Sequence, residues 1–398
     1  MKGTHLRIAL LWFLVLLAFG CGENTTVAPT TPTAPLTPCV PSSNTEFAYA
    51  LTGYAVSMYT VNSCTGNFEA TAPGTIATGY ALPQARAEQM VADPLGRFAY
   101  VANLISSGSD LATISMYTID ATTGVLTATS PATVPTGFFP QGIAIDPGGK
   151  FVYTANSYDD TVSMFTINST TGVLTPTTPA TVSTGAGTSP ISVTVDPSGK
   201  FAYVANQGAN TISMFTINST TGVLTPTSPA TVPSGASPFG VAVDPSTKFA
   251  YVPNNNSGGA LTNGVSQYTI NSTTGVLTPD TPAAVAAGNA PTAVAVDPTG
   301  MYAYVTNQTD NTVSMFTISP TTGILTLNTD TFNTTGTVKT GTEPYRINFD
   351  PSGNFLYVTN MQSAVSVYAL NKDGTLSWQG SAGPQSGAYS LAITAVKQ

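Results

Sequence analysis

The stretch "INSTTGVLTP" occupies Ile167–Pro176 and returns unchanged at Ile217–Pro226 and Ile270–Pro279. It reads as a tight turn running into a strand. Asn168 can fold its side-chain oxygen onto its own backbone, and Gly172 accepts positive φ before an apolar run resumes at Val173. Asp120–Gly124, Ser319–Gly323 and the shorter Asn371–Gly374 are diverged copies. The Asn-Ser-Thr triplet is therefore a turn first and a glycosylation acceptor only by coincidence of letters.

Outward from this turn, a whole unit repeats. Its marker is a tyrosine after an apolar pair, as in "KFAYVAN", found at Tyr49, Tyr100, Tyr153, Tyr203, Tyr251, Tyr304 and Tyr357, with spacings of 48 to 53 residues. Such a period belongs to solenoids, propellers or arrays. Each unit holds four short alternating runs, in the third "GIAID", "KFVYTAN", "TVSMFTIN" and "GVLTPT". Period-2 alternation over this length predicts strands, and no helical period intervenes. A second turn, "DPGGK" at Asp146–Lys150, suits a type I geometry, and the same Asp-Pro opens at Asp93, Asp196, Asp244, Asp297 and Asp350.

The ends of the chain decide between an open array and a ring. The first tyrosine strand, near Phe47–Ala50, has no Asp-Pro strand before it, whereas "AYSLAIT" at Ala388–Thr394 aligns with "PFGVAVD" and has no strand after it. The last segment thus supplies the missing inner strand of the first unit, which closes the sheet edges into a ring. The expected fold is all-β: a seven-bladed β-propeller of four-stranded antiparallel blades over residues 42–398. Small residues expected near its axis are Gln89, Gly142, Ser192, Gly240, Ala293, Arg346 and Ser390, with only Gln89 and Arg346 large. The recurring Met58, Met116, Met164, Met214 and Met315 read as inter-blade packing in preference to a soft-metal stripe.

"YVTN" at Tyr304–Asn307 and Tyr357–Asn360, and "YVAN" at Tyr100–Asn103 and Tyr203–Asn206, resemble the YVTN propeller repeats. These belong to the seven-bladed lactonase-like superfamily, near bacterial 6-phosphogluconolactonase. The resemblance spans all seven units and implies fold more firmly than activity, because the motifs are blade scaffolding.

Residues 1–20 read as a secretory signal, with Lys2 and Arg7 ahead of the apolar Ile8–Phe19. "LAFGC" resembles a bacterial lipoprotein site, although Ala18 stands where leucine is usual; lipidation would fall on Cys21. Gly22 after it, with no aspartate, resembles the outer-membrane sorting pattern. Ordinary cleavage into the periplasm or medium is the alternative. Residues 21–41, rich in Thr and Pro, read as an extended tether. Cys39 and Cys64 are the expected disulfide of an exported chain. Without Lys2 and Arg7, 9 of the 11 basic residues face 19 acidic ones, near −10 net. That balance disfavours nucleic acid and an anionic bilayer, leaving a lipid anchor as the expected tie to the membrane.

The only histidine, His5, lies in the signal, so no His base or Ser-His-Asp triad is expected in the mature chain. No metal or cofactor is expected, and Asp159-Asp160 reads as solvated surface in preference to a calcium site. One asymmetry stands out. Most inner-strand entrances are uncharged (Gln141, Ile191, Phe239, Thr292), but the second blade brings Arg86, Glu88 and Gln89, the seventh Glu343, Tyr345 and Arg346, and the closing strand Tyr389. Blades seven, one and two are ring neighbours, so these residues are expected to converge on one side of the funnel. They read either as a ligand pocket, with arginines for a carboxylate or phosphate and Glu88 or Glu343 as base, or as a salt-bridge cluster sealing the ring. The expected role is a monomeric binding or scaffold protein of the cell envelope, taking a protein, glycan or small ligand. The alternative is a lactonase-like hydrolase of a sugar lactone or similar ester. Phosphogluconolactone, a cytoplasmic metabolite, is not expected as its substrate.

Overall fold

The computed structural model describes residues 44–78, 85–105, 112–255, 264–329, 333–385 and 387–396. Cys21 and Cys39 lie outside them, as does the unit Met1–Val40; Cys64 is disulfide-bonded. Seven sheets form, each antiparallel and each ordered from an inner to an outer strand. Blade 1 pairs the C-terminal Ser390–Val396 with Thr45–Thr52, then Ala55–Val61 and Phe68–Ala77. The closing register runs Thr45↔Val396 to Leu51↔Ser390. The inner strands of blades 2 to 7 are Ala85–Ala92, Pro140–Ile145, Pro190–Val195, Ala242–Val243, Pro291–Val296 and Pro344–Phe349. Ring closure by the two chain ends is thus observed as expected. Blade 6 departs from its sisters: its outer edge is split into Leu325–Leu327 and Thr337–Lys339, both paired with Thr312–Ile318.

The repeated turn does more than reverse the chain. Asn168 Oδ1 accepts the amides of Thr170 and Thr171, both at 3.0 Å, and Gly172 takes φ 73°. The Gly172 carbonyl then accepts the buried hydroxyl of Tyr100, one blade earlier, at 2.9 Å. This link runs right round the ring: Tyr49 to Gly124, Tyr153 to Gly222, Tyr203 to Gly275, Tyr251 to Gly323, Tyr304 to Gly374 and Tyr357 to Gly66. A Cβ on Gly172 would sit 2.4 Å from the Phe98 ring, so the glycine serves close approach between blades as well as the turn. Each such hydrogen bond contributes about 1 kcal/mol net, and losing the donor strands a buried carbonyl.

The five recurring methionines are fully buried, and four of them bridge the same seams. Sulfur of Met58, Met116, Met164 and Met214 accepts the amide of Leu126, Leu174, Leu224 and Leu277 in the next blade at 3.1–3.2 Å. In blade 5 Gln267 replaces the methionine, and its Oε1 takes the Leu325 amide at 2.7 Å. In five blades the position is therefore an inter-blade acceptor, which explains why a polar glutamine substitutes for a thioether there; blade 7 carries Val367 instead.

Asp159 and Asp160 clamp loops. Asp159 accepts the Phe138 amide at 2.7 Å, and Asp160 accepts the amides of Gly187 at 2.7 Å and Ser189 at 2.8 Å, tying blade 3 to the entrance of blade 4.

Candidate functional site

Inner strands run from the funnel face, where Pro140 pairs with Asn156, to the opposite face, where Asp146 opens its turn. At the funnel end each of five inner strands carries one unpaired extra residue. Register shifts fall between Ala87 and Gln89, Pro140 and Gly142, Pro190 and Ser192, Pro291 and Ala293, and Pro344 and Arg346. The bulged residues are Glu88, Gln141, Ile191, Thr292 and Tyr345. A bulge breaks strict alternation and re-aims its side chain. The entrance residues singled out in sequence are therefore a structural class.

The residue after four of these bulges lines an axial cavity of about 370 Å³, to which all seven blades contribute. Around this ring stand Gln89, Ser192, Gly240, Ala293, Arg346 and Ser390. Small neighbours leave the Arg346 guanidinium room in the cavity. Its backbone is fixed by Thr359, the threonine of "YVTN", whose hydroxyl accepts the Arg346 amide at 3.1 Å. Its side chain lies against the Tyr345 ring, 5.3 Å from the centroid. Its Nε is buried and has no hydrogen-bond partner among the described residues. Among the described residues no carboxylate pairs with it; the ion pairs are Arg86–Glu88 and Arg97–Asp93.

Arg86 and Glu88 meet directly. Nε and Nη2 of Arg86 lie 2.7 and 2.5 Å from Glu88 Oε1, while among the described residues no contact engages Oε2. Glu88 is buried, Arg86 is partly open to solvent, and the guanidinium sits 4.9 Å from the Tyr389 ring centroid. Desolvation opposes the charge on Arg86, but Glu88 outweighs it and raises the guanidinium's pKa. Tyr345, in edge contact with Phe239 at 5.5 Å, feels Arg346, Glu88, Arg86 and Tyr389 electrostatically; burial dominates and raises its phenol. Arg86, Glu88, Tyr345, Arg346 and Tyr389 thus form one cluster where blades 7, 1 and 2 meet.

Two of the expected residues play other parts. Glu343 stands at φ 56°, accepts the Gln362 side-chain amide on its carboxylate at 2.5 Å, and is absent from the charges that act on Tyr345. It faces its own blade's loop because the bulge follows it, so the chain turns inward only at Tyr345. Gln89 lines the cavity but spends its Oε1 on the Ile143 amide of blade 3 at 3.2 Å. Such side-chain ties between inner strands recur at Asn348 to Leu391, Thr194 to Val241 and Met90 to Ser390. Phe239 is a site residue that charge alone did not mark; its contact with Tyr345 spans blades 5 and 7. Among the described residues no group of three His, Cys, Asp or Glu side chains is placed to hold a metal ion.

Comparison with known proteins agrees with this architecture. The family model for the seven-bladed β-propeller lactonases matches residues 40–188, 175–286, 225–339 and 281–388. A search of curated protein sequences finds no match. Among solved structures, a putative 6-phosphogluconolactonase from Bacteroides fragilis shares 20% identity at TM-score 0.69, covering 88% of this chain and 98% of that one. One from Bacteroides uniformis shares 22% at 0.67, with 88% and 100% covered. A periplasmic gluconolactonase from Pseudomonas aeruginosa shares 19% at 0.67, with 89% and 100% covered. At these identities the likeness is one of fold. The matched segments cover most of the sequence, and the chain belongs to the seven-bladed β-propeller lactonase family.

Proposed function

We propose that this lactonase-family propeller is a hydrolase that opens a sugar lactone or similar ester at the mouth of its axial cavity. The observation that carries the reading is Arg346: among the described residues its buried Nε has no partner, no carboxylate pairs with it, and the cavity walls are otherwise uncharged. Such a cation is suited to a substrate carbonyl oxygen that gains charge during reaction. Glu88 supplies the second part. Arg86 holds one of its oxygens and leaves Oε2 open to accept a proton from water. In the proposed step water adds to the acyl carbon and Glu88 takes its proton. The ring C–O bond then breaks, and that proton passes to the departing alkoxide.

The family match and the gluconolactonase-like neighbours support hydrolysis better than the binding-scaffold expectation. The leader-like residues 1–20, Cys21 and the Thr/Pro tether support action outside the cytoplasm, on a lipid anchor. The test is pH-stat hydrolysis of a panel of aldonolactones by the purified chain. Arg346→Ala is expected to lower kcat/KM about 10²-fold or more, and Glu88→Gln by a similar factor, with folding unchanged by circular dichroism. No turnover above background on any lactone, or full activity in Arg346→Ala, refutes the reading.

A further inference from the structure

A second concave site lies on the rim, far along the sheets from the axis. It holds about 410 Å³ between the split outer edge of blade 6 and the outer strands of blade 7, and its walls include Lys339, Thr340, Ser363, Ser366, Trp378 and Ser381. Two of these residues depart from the repeat. Trp378 pairs with Tyr368 in register, a place held in sister blades by Ala70, Ala128, Pro176, Pro226, Pro279 and Leu327. Lys339 pairs with Thr312, a place held elsewhere by Ala77, Pro135, Ser183, Pro233 and Ala286. Blades fold without an indole or an ammonium at these points, and both occur at the same groove.

Trp378 is 53% exposed, so its indole contributes little to the core; one edge leans on Tyr368, with ring centroids 5.3 Å apart. The groove floor is a finished polar surface. Buried Ser366 accepts the Thr340 hydroxyl at 2.9 Å, the Gly341 amide at 3.1 Å and the Asn360 side-chain amide at 3.0 Å. The side chains of Lys339 and Ser381 make no hydrogen bond or ion pair among the described residues. Among the described residues no carboxylate lines the groove. An open aromatic face, free hydroxyl and ammonium donors, and walls lacking negative charge match one chemistry: the apolar face of a sugar ring stacks on the indole while its oxygens meet the donors.

We propose that this groove binds an acidic saccharide, with a pyranose ring on Trp378 and its carboxylate on Lys339. The site is independent of hydrolysis at the axis. The chain has two tryptophans, Trp12 and Trp378, so the full chain with Trp12→Phe reports on the groove by fluorescence. Titration with digalacturonate is expected to shift the emission saturably, with affinity at least about 10-fold above that for uncharged galactobiose. Lys339→Met should erase that preference, and Trp378→Ala, followed by calorimetry, should abolish binding with circular dichroism unchanged. Arg346→Ala should leave binding intact whatever it does to lactone turnover. No saturable shift with either sugar, equal affinity for the two, or undiminished binding by Trp378→Ala overturns the proposal.

Discussion

Glu46→Gln should make the propeller more stable at pH 8 than the natural chain while leaving it unchanged near pH 4.5. Glu46 is the second residue of the second strand of blade 1, at a place where four sister blades carry Arg97, Lys150, Lys200 and Lys248. It is 3% exposed, its Oε2 has no partner, and its carboxyl hydrogen-bonds Asp350 across the blade 7 to blade 1 seam. Burial raises the Asp350 carboxyl as well, but the Phe355 amide at 2.8 Å and the Ser352 hydroxyl oppose that shift, and Glu46 receives no such donors. The proton of the pair therefore sits on Glu46, whose pKa rises from 4.5 to about 7, chiefly through desolvation and then through the Asp350 charge. Below pH 4.5 Glu46 is neutral in folded and unfolded chains alike, and its stabilising contribution is complete. As pH rises to about 7 the unfolded chain gives up the proton while the folded chain keeps it. Stability then falls by about 1.4 kcal/mol per pH unit, to a total loss of about 3 kcal/mol at most. Across a propeller of roughly 350 residues, with unfolding entropy of about 2.1 cal/mol/K per residue, that loss is about 4 °C in Tm. Glutamine keeps the donor to Asp350 and cannot ionise. Scanning calorimetry of both chains between pH 4.5 and 8 should show curves that coincide in acid and diverge by this amount above neutrality. Parallel curves would refute the assignment of the proton to Glu46.

Other outcomes follow from the seams. Tyr153→Phe strands the Gly222 carbonyl and should cost about 1–2 kcal/mol in urea unfolding, with no change in lactone turnover. Gly172→Ala places a methyl against Phe98 at φ 73° and should cost more, about 2–4 kcal/mol, by the same assay. Met164→Leu removes the acceptor for the Leu224 amide and should cost about 1 kcal/mol, whereas Met164→Gln should recover part of it, as Gln267 does in blade 5. A chain truncated after Tyr389 lacks the inner strand Ser390–Val396 and should lose cooperative unfolding in the same urea titration, because the second strand of blade 1 becomes an open edge.

The repeat, the strand count and the ring closure were legible because each is a local pattern copied along the chain. Alternation gives strands, Asn and Gly give turns, and the unmatched first and last runs give closure. What the repeated glycines and methionines do for one another was not legible: Gly172 meets Tyr100 and Phe98, and Met116 meets Leu174, across separations of 58 to 74 residues that no local rule spans. The site divides the same way. Sequence marked Arg86, Glu88, Tyr345, Arg346 and Tyr389 because their charge and size break a small, neutral pattern. It also drew in Glu343, since proximity in sequence does not say on which side of a bulge a side chain lies. Only the folded ring decided that Arg346 enters the cavity unpartnered, that Glu343 turns to Gln362, and that Lys339 and Trp378, one on each of two adjacent blades, share a groove. The physical reason is that pattern fixes conformation within a blade, whereas side-chain partners between blades are set by the ring's curvature.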